Sequence, residues 1–200
     1  MKFTRANLEQ LVQEISRPGE IGIADIPEVD LYMEQLTSII DNKMEDFKRH
    51  PEDKILTKTM INNYTKAGLL MPPKNKKYTK DHIILLVLTY HLKNIISIND
   101  IRALFDPILN NLATREDDVI SLEDIYTAFL ELKEIEFDSF YDSLIEKFAV
   151  IKEKTLSIDP ENRDTAELFL IVLMLIAQSN AQKRLAERII DTYFQAEGES

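Results

Sequence analysis

Only four of the 200 residues are glycine, and that scarcity limits the fold more than any other feature. Sandwiches and barrels need many tight turns, and such turns draw on residues that tolerate positive φ. Leu, Ile, Glu, Lys and Ala are abundant, so local propensity favours helix, and the expected fold class is all-α. Cysteine is absent, which removes disulfides, thiol catalysis and cysteine metal sites and fits a reducing cytoplasm. The start, Met1-Lys2-Phe3-Thr4-Arg5, leads into mixed polar sequence with no apolar signal stretch. The longest apolar run, 168–177, has ten residues, about half of the roughly 20 that a bilayer span needs. A cytoplasmic protein with no membrane partner is expected.

The net charge of −11 argues on its face against a nucleic-acid partner, because DNA binding requires cations that displace condensed counterions. The distribution argues the other way. Residues 54–80 hold seven lysines (54, 58, 66, 74, 76, 77 and 80) and no Asp or Glu, leaving 17 basic and 35 acidic residues elsewhere, a net of −18. A phosphate backbone meets local charge rather than the average.

Helical spacing predicts an amphipathic helix over 5–16, with Thr4 as cap and Leu8, Leu11, Val12 and Ile15 on one face, ended by Arg17-Pro18-Gly19. A connector fills 18–29. Asp30 is the expected cap of a helix carrying Leu31, Met33, Leu36, Ile39 and Ile40 and extending towards Met44 and Phe47. Thr57 caps a compact helix over 58–67, and Gly68 stands where a left-handed residue ends a helix. Pro72-Pro73 and the turn Lys74-Asn75-Lys76-Lys77 follow. Thr79 caps a helix whose face is Ile83, Leu86, Val87, Tyr90 and His91; Ser97 with Asp100, and Ser121 with Asp124, open two more. Asp159-Pro160 separates the last helical region, about 161–194, with a bend expected near Ser179-Asn180. The expected organisation is an N-terminal helix and connector (1–25), a reading module (26–110) and an acidic helical bundle (111–200).

Residues 57–105 carry an ordered set of features: Tyr64-x-x-x-Gly68-Leu69-Leu70, the two prolines, a basic turn, Tyr78, an apolar helix, and Ser97-x-x-x-Ile101-Arg102-x-Leu104. This order resembles the DNA-binding head of MerR-type regulators, a winged helix-turn-helix, over about 50 residues. The flanking pattern is similar to a bacterial family defined only as a domain of unknown function. That family has a start like Ile26-Pro27-Glu28-Val29-Asp30-Leu31-Tyr32-Met33 ahead of a segment like Leu56-Thr57-Lys58-Thr59-Met60-Ile61-Asn62-Asn63-Tyr64. The resemblance implies double-stranded DNA as partner. Helix 57–67 would enter the major groove, and 71–78 would be the wing. Thr59, Asn62 and Asn63 are the candidate base readers, since Asn can bond adenine in bidentate fashion and Thr can touch a thymine methyl. Thr57, Lys58 and Lys66 would meet phosphate, Lys74, Lys76 and Lys77 would flank the groove, and Tyr78 would stand at the wing's base. Tyr64 aligns with a backbone-contacting tyrosine of the resembled family; for Tyr64 and Tyr78 alike, half-buried packing is the alternative role. Two departures stand out: a proline-containing loop precedes the reading helix where MerR-type proteins use a short turn, and Asn62-Asn63 replaces an arginine pair.

No catalytic constellation accompanies this pattern. His82 and His91 are nine residues apart, His50 is remote in sequence, and HExxH, GxSxG and a phosphate-binding glycine loop are absent. The stretch 117–125 has the look of an EF-hand exit but lacks the first acidic ligand and the central glycine. No enzyme activity, cofactor or metal is therefore expected. Phe129, Phe137, Phe140, Phe148 and the run 168–176 give the second half more apolar surface than one bundle face uses. The expectation is a homodimer, which would let a helix-turn-helix reader span two half-sites about 34 Å apart. The alternative is a protein–protein interaction module on the same scaffold.

Overall fold

The computed structural model describes residues 3–15, 19–114 and 121–195, with the side chains of 111–114 excepted. These residues form α1 (Arg5–Ile15), β1 (Leu31–Tyr32), α2 (Met33–Lys43), α3 (Lys58–Lys66), β2 (Lys77–Tyr78), α4 (Lys80–Leu92), α5 (Ile98–Thr114), α6 (Leu122–Lys154) and α7 (Pro160–Tyr193), with short 3-10 turns at Ile23–Asp25 and Glu45–Phe47. Helix dominates, as glycine scarcity implies. The expected helix terminator Arg17-Pro18 and the acidic residues Glu116, Asp117 and Asp118 lie outside the described residues.

The chain divides into two compact units, Met1–Arg17 with Glu131–Leu185, and Pro18–Leu130 with Ala186–Ser200. These lines cut across the segments 1–25, 26–110 and 111–200 read from sequence. In the first unit, Leu8 and Val12 of α1 bury against Leu144, Phe148 and Ile151 of α6 and Ile171 of α7. Glu167, only 1% exposed, accepts from Lys152 Nζ at 2.7 Å and from the Thr155 hydroxyl at 3.2 Å. Burying that carboxylate is tolerable because both donors reach it. α7 is a continuous helix through Ser179-Asn180, both of which are exposed.

The second unit is organised around α4. Every residue from His82 to Thr89 is buried, so α4 is apolar all round rather than along one face, as a central helix must be. Around it pack Leu36 and Ile40 of α2 with Met44 just past its end, Ile61 and Tyr64 of α3, Ile101 and Phe105 of α5, Leu122 and Tyr126 of α6, and Ile190 of α7. The Tyr126 hydroxyl donates to the Ile21 carbonyl, fastening the connector to this core. Burial pushes the Tyr126 phenol up to about 12 and the His91 imidazole down to about 4, with the Glu20 carboxylate 3.5 Å from His91 Nε2.

The start of α2 differs from expectation. Leu31 and Tyr32 are strand, paired antiparallel with Tyr78 and Lys77, and the Gln35 side chain rather than Asp30 receives the Tyr32 N–H, at 2.9 Å. A strand partner 45–47 residues away outcompetes the local capping signal. α2 ends at Lys43, short of Met44 and Phe47. The loop from α2 to α3 is tied down by Asp41, which accepts from Lys48 at 3.0 Å and from the Ile55 N–H at 3.3 Å. Burial opposes ionisation of Asp41, but Lys48 and that N–H hold its carboxyl below the usual carboxylate range.

Candidate nucleic-acid interface

α3 begins where the Thr57 hydroxyl accepts the Met60 N–H at 3.2 Å, satisfying one of the four N–H groups a helix start leaves open. It ends in a Schellman closure: Leu69 N–H donates to Tyr64 C=O at 2.9 Å and Gly68 N–H to Thr65 C=O at 3.1 Å, with Gly68 at φ +77°. Ile61 and Tyr64 face the core. Thr59, Asn62, Asn63 and Lys66 are all exposed, and their i, i+3, i+4, i+7 spacing puts them on one outward face. Helix α3 holds no acidic residue.

The basic turn is a hairpin turn of type I′. Lys77 N–H donates to Lys74 C=O at 3.0 Å, and the two central residues, Asn75 and Lys76, have φ of +53° and +61°. That type demands positive φ at both positions, where Asn-Gly is the preferred pair. Lysine in the second position accepts backbone strain of about 1–2 kcal/mol that glycine would avoid. Lys76→Gly is expected to stabilise the chain by ~0.5–1 kcal/mol, raising the melting temperature by roughly 1–4 °C, while weakening any nucleic-acid binding. A lowered melting temperature in calorimetry would contradict this reading of the turn.

His82 anchors the base of the turn. Its Nδ1 accepts from the Thr79 N–H at 3.1 Å and its Nε2 lies 3.1 Å from the Met71 carbonyl, so the neutral Nε2–H tautomer satisfies both. Burial pushes its pKa down, in keeping with that form. The Tyr78 ring packs edge-on against it, with centroids 5.4 Å apart.

The turn and α3 are held side by side by residues 32–34. Lys77 Nζ lies over the Tyr32 ring, 5.4 Å from its centroid, and Glu34, two residues on, takes Lys58 Nζ at 2.8 Å. Residues 32–34 thus touch a side chain from the start of α3 and one from the base of the basic turn.

The seven lysines are not electrostatically equal. Lys58 is paired with Glu34, Lys54 lies 3.6 Å from Asp41, and Lys80 sits between Glu28 (3.3 Å) and Glu123 (2.9 Å). Among the described residues, Lys66, Lys74, Lys76 and Lys77 have no acidic partner, so the usable positive charge is about four rather than seven. Tyr64 and Tyr78, 7% and 4% exposed, are core residues whose phenols burial pushes above their ordinary pKa. Thr57 and Lys58, at the helix start, line an open groove together with Thr37, Ser38, Asp41, Asn42, Lys54 and Leu56. Arg102 has no role in the sequence reading, yet its exposed side chain lies against Gly68, with Nε 3.5 Å from where a Cβ would stand. The signal was Arg102's place in the Ser97 to Leu104 pattern. Among the described residues no three His, Cys, Asp or Glu side chains converge on a possible metal site.

Residues 21–129 match the family described as "Domain of unknown function (DUF1836)". No curated protein and no solved structure matches the chain.

Proposed function

The chain belongs to the DUF1836 family, whose domain takes in more than half of it; from the side chains that this domain exposes we propose a cytoplasmic DNA-binding protein, a transcriptional regulator without catalytic activity. In this reading α2 and α3 form a MerR-like helix-turn-helix, α3 is the reading helix, and 71–78 is the wing. The observation that carries it is the outward face of α3: Thr59, Asn62, Asn63 and Lys66, exposed together on an acid-free helix, in a unit that also presents a turn of unpaired lysines. Short polar side chains on such a helix suit base edges in the major groove. Lys66, Lys74, Lys76 and Lys77 suit phosphates, and Arg102 joins them at the C-terminal end of α3. The buried Tyr64 and Tyr78 support the reading unit from below. The long loop held by Asp41 replaces the short turn of MerR-type proteins, and the promoter-overtwisting mechanism is not carried over.

A second reading, a protein–protein module on the same scaffold, is favoured by the carboxylates already bound to Lys54, Lys58 and Lys80. The variant Glu34→Gln separates the two. In the DNA reading it frees Lys58 for a phosphate, so duplex binding tightens and the log–log salt slope steepens by about one, while the exposed position leaves the melting temperature unchanged. Gel-shift titration of the wild type and the variant on mixed-sequence duplex at low salt reads this directly. No shift by either protein favours the interaction module.

A further inference from the structure

α7 carries an apolar face that its own unit leaves uncovered. Leu168, Phe169, Val172, Leu173 and Ile176 are 40%, 63%, 57%, 48% and 57% exposed. Their spacing places them on one stripe, opposite the residues Glu167 and Ile171 that bury towards α6. Half-exposed side chains of this size present roughly 300–400 Å² of apolar surface together, as large as the biggest patch on a typical monomer, and patches of that size mark interaction sites.

We infer that this stripe is the seam of a homodimer in which two copies of α7 pack antiparallel about Val172. The charge pattern selects that arrangement. Glu161 stands eleven residues before Val172, and Lys183, with Arg184 beside it, eleven after. An antiparallel pairing sets the acidic end of each helix against the basic end of the other, whereas a parallel pairing sets Glu161 on Glu161. The stretch from Glu161 to Arg184 is about 35 Å long, and its polar flanks bring the apolar stripe towards the ~800 Å² per partner of a stable interface. A C2 seam of this kind is self-complementary and closes without leaving a free edge. A lipid surface fits the stripe less well. α7 passes the length and hydropathy test for a membrane span, but its apolar run of ten residues, 168–177, covers about 15 Å of a roughly 30 Å hydrocarbon core, and Arg163, Asp164 and Glu167 adjoin it.

Sedimentation equilibrium on the full chain tests this. The wild type is expected at twice the 23.2 kDa chain mass. Val172→Glu, a change on the exposed face, is expected to weaken the dimer at least ~100-fold by burying an unpaired charge, with unchanged far-UV circular dichroism. Glu161→Lys alone weakens the dimer, and adding Lys183→Glu restores it. A wild type of single-chain mass at 100 µM, a dimer that survives Val172→Glu, or a charge swap without restoration overturns the proposal. So does a monomer that co-floats with phosphatidylglycerol vesicles and loses that property with Val172→Glu. This inference does not rest on the DNA reading: a monomer that still shifts duplex DNA in a salt-dependent manner sinks the seam and leaves the reading helix standing.

Discussion

The protein carrying Lys74→Glu, Lys76→Glu and Lys77→Glu is expected to lose binding to duplex DNA while keeping its helical circular dichroism. Three of the four lysines without acidic partners sit in this turn, so the change converts a local surplus of positive charge into a deficit. Each phosphate contact contributes about 0.9 to the log–log slope of affinity against salt, and reversing three charges removes most of that slope and adds repulsion. Affinity should fall by more than ~100-fold at low salt. The fold has little reason to respond. Lys74 and Lys76 are exposed, no ion pair is broken, and the turn's hydrogen bond is made by backbone atoms. Lys77 gives up its contact with the Tyr32 ring, which costs the ribbon slightly. Unchanged binding by the triple variant in fluorescence anisotropy would remove the turn from any interface.

Ile61→Ala and Asn62→Ala, on adjacent residues of α3, should have opposite consequences. Ile61 is fully buried against the core around α4. Truncating it leaves a cavity under the helix and should cost about 3 kcal/mol, a loss of roughly 6–12 °C in melting temperature for a chain of this size. Asn62 is exposed, so its removal should change stability by less than about 0.5 kcal/mol. It should nevertheless relax discrimination at one base pair by about 1–3 kcal/mol if it pairs with adenine. Denaturant melts and binding to duplexes differing at single positions measure the two effects separately. Equal stability losses for both variants would contradict the two-faced description of α3.

What was legible in the sequence was local. Thr57, Ser97 and Ser121 start helices as their side chains suggest, and Gly68 takes the left-handed position that ends α3. Asn75 tolerates positive φ, so the turn could be read directly. The strand at Leu31-Tyr32 could not, because its partner is Tyr78-Lys77 and two residues carry no periodicity of their own. The full burial of α4 was hidden for the same reason. One face of it is visible in the pattern of Ile83, Leu86 and Val87, but the second and third faces are made by α2, α5, α6 and α7. The candidate site was legible in composition and misjudged in strength. Seven lysines are plain in the sequence, but Glu34, Asp41, Glu28 and Glu123 reach three of them only after folding. Tyr64 and Tyr78 carry two readings in sequence, a DNA contact implied by resemblance and a packing role, and their side chains fill the interior. Arg102 was passed over because nothing in one dimension places it against Gly68.

The salt dependence of wild-type binding to duplex DNA tests the central claim most directly. Four lysines free of acidic partners, together with Arg102, predict a log–log slope of about −4 to −5 per chain between 50 and 200 mM salt. No binding at 50 mM salt, or a slope indistinguishable from zero, would contradict the account.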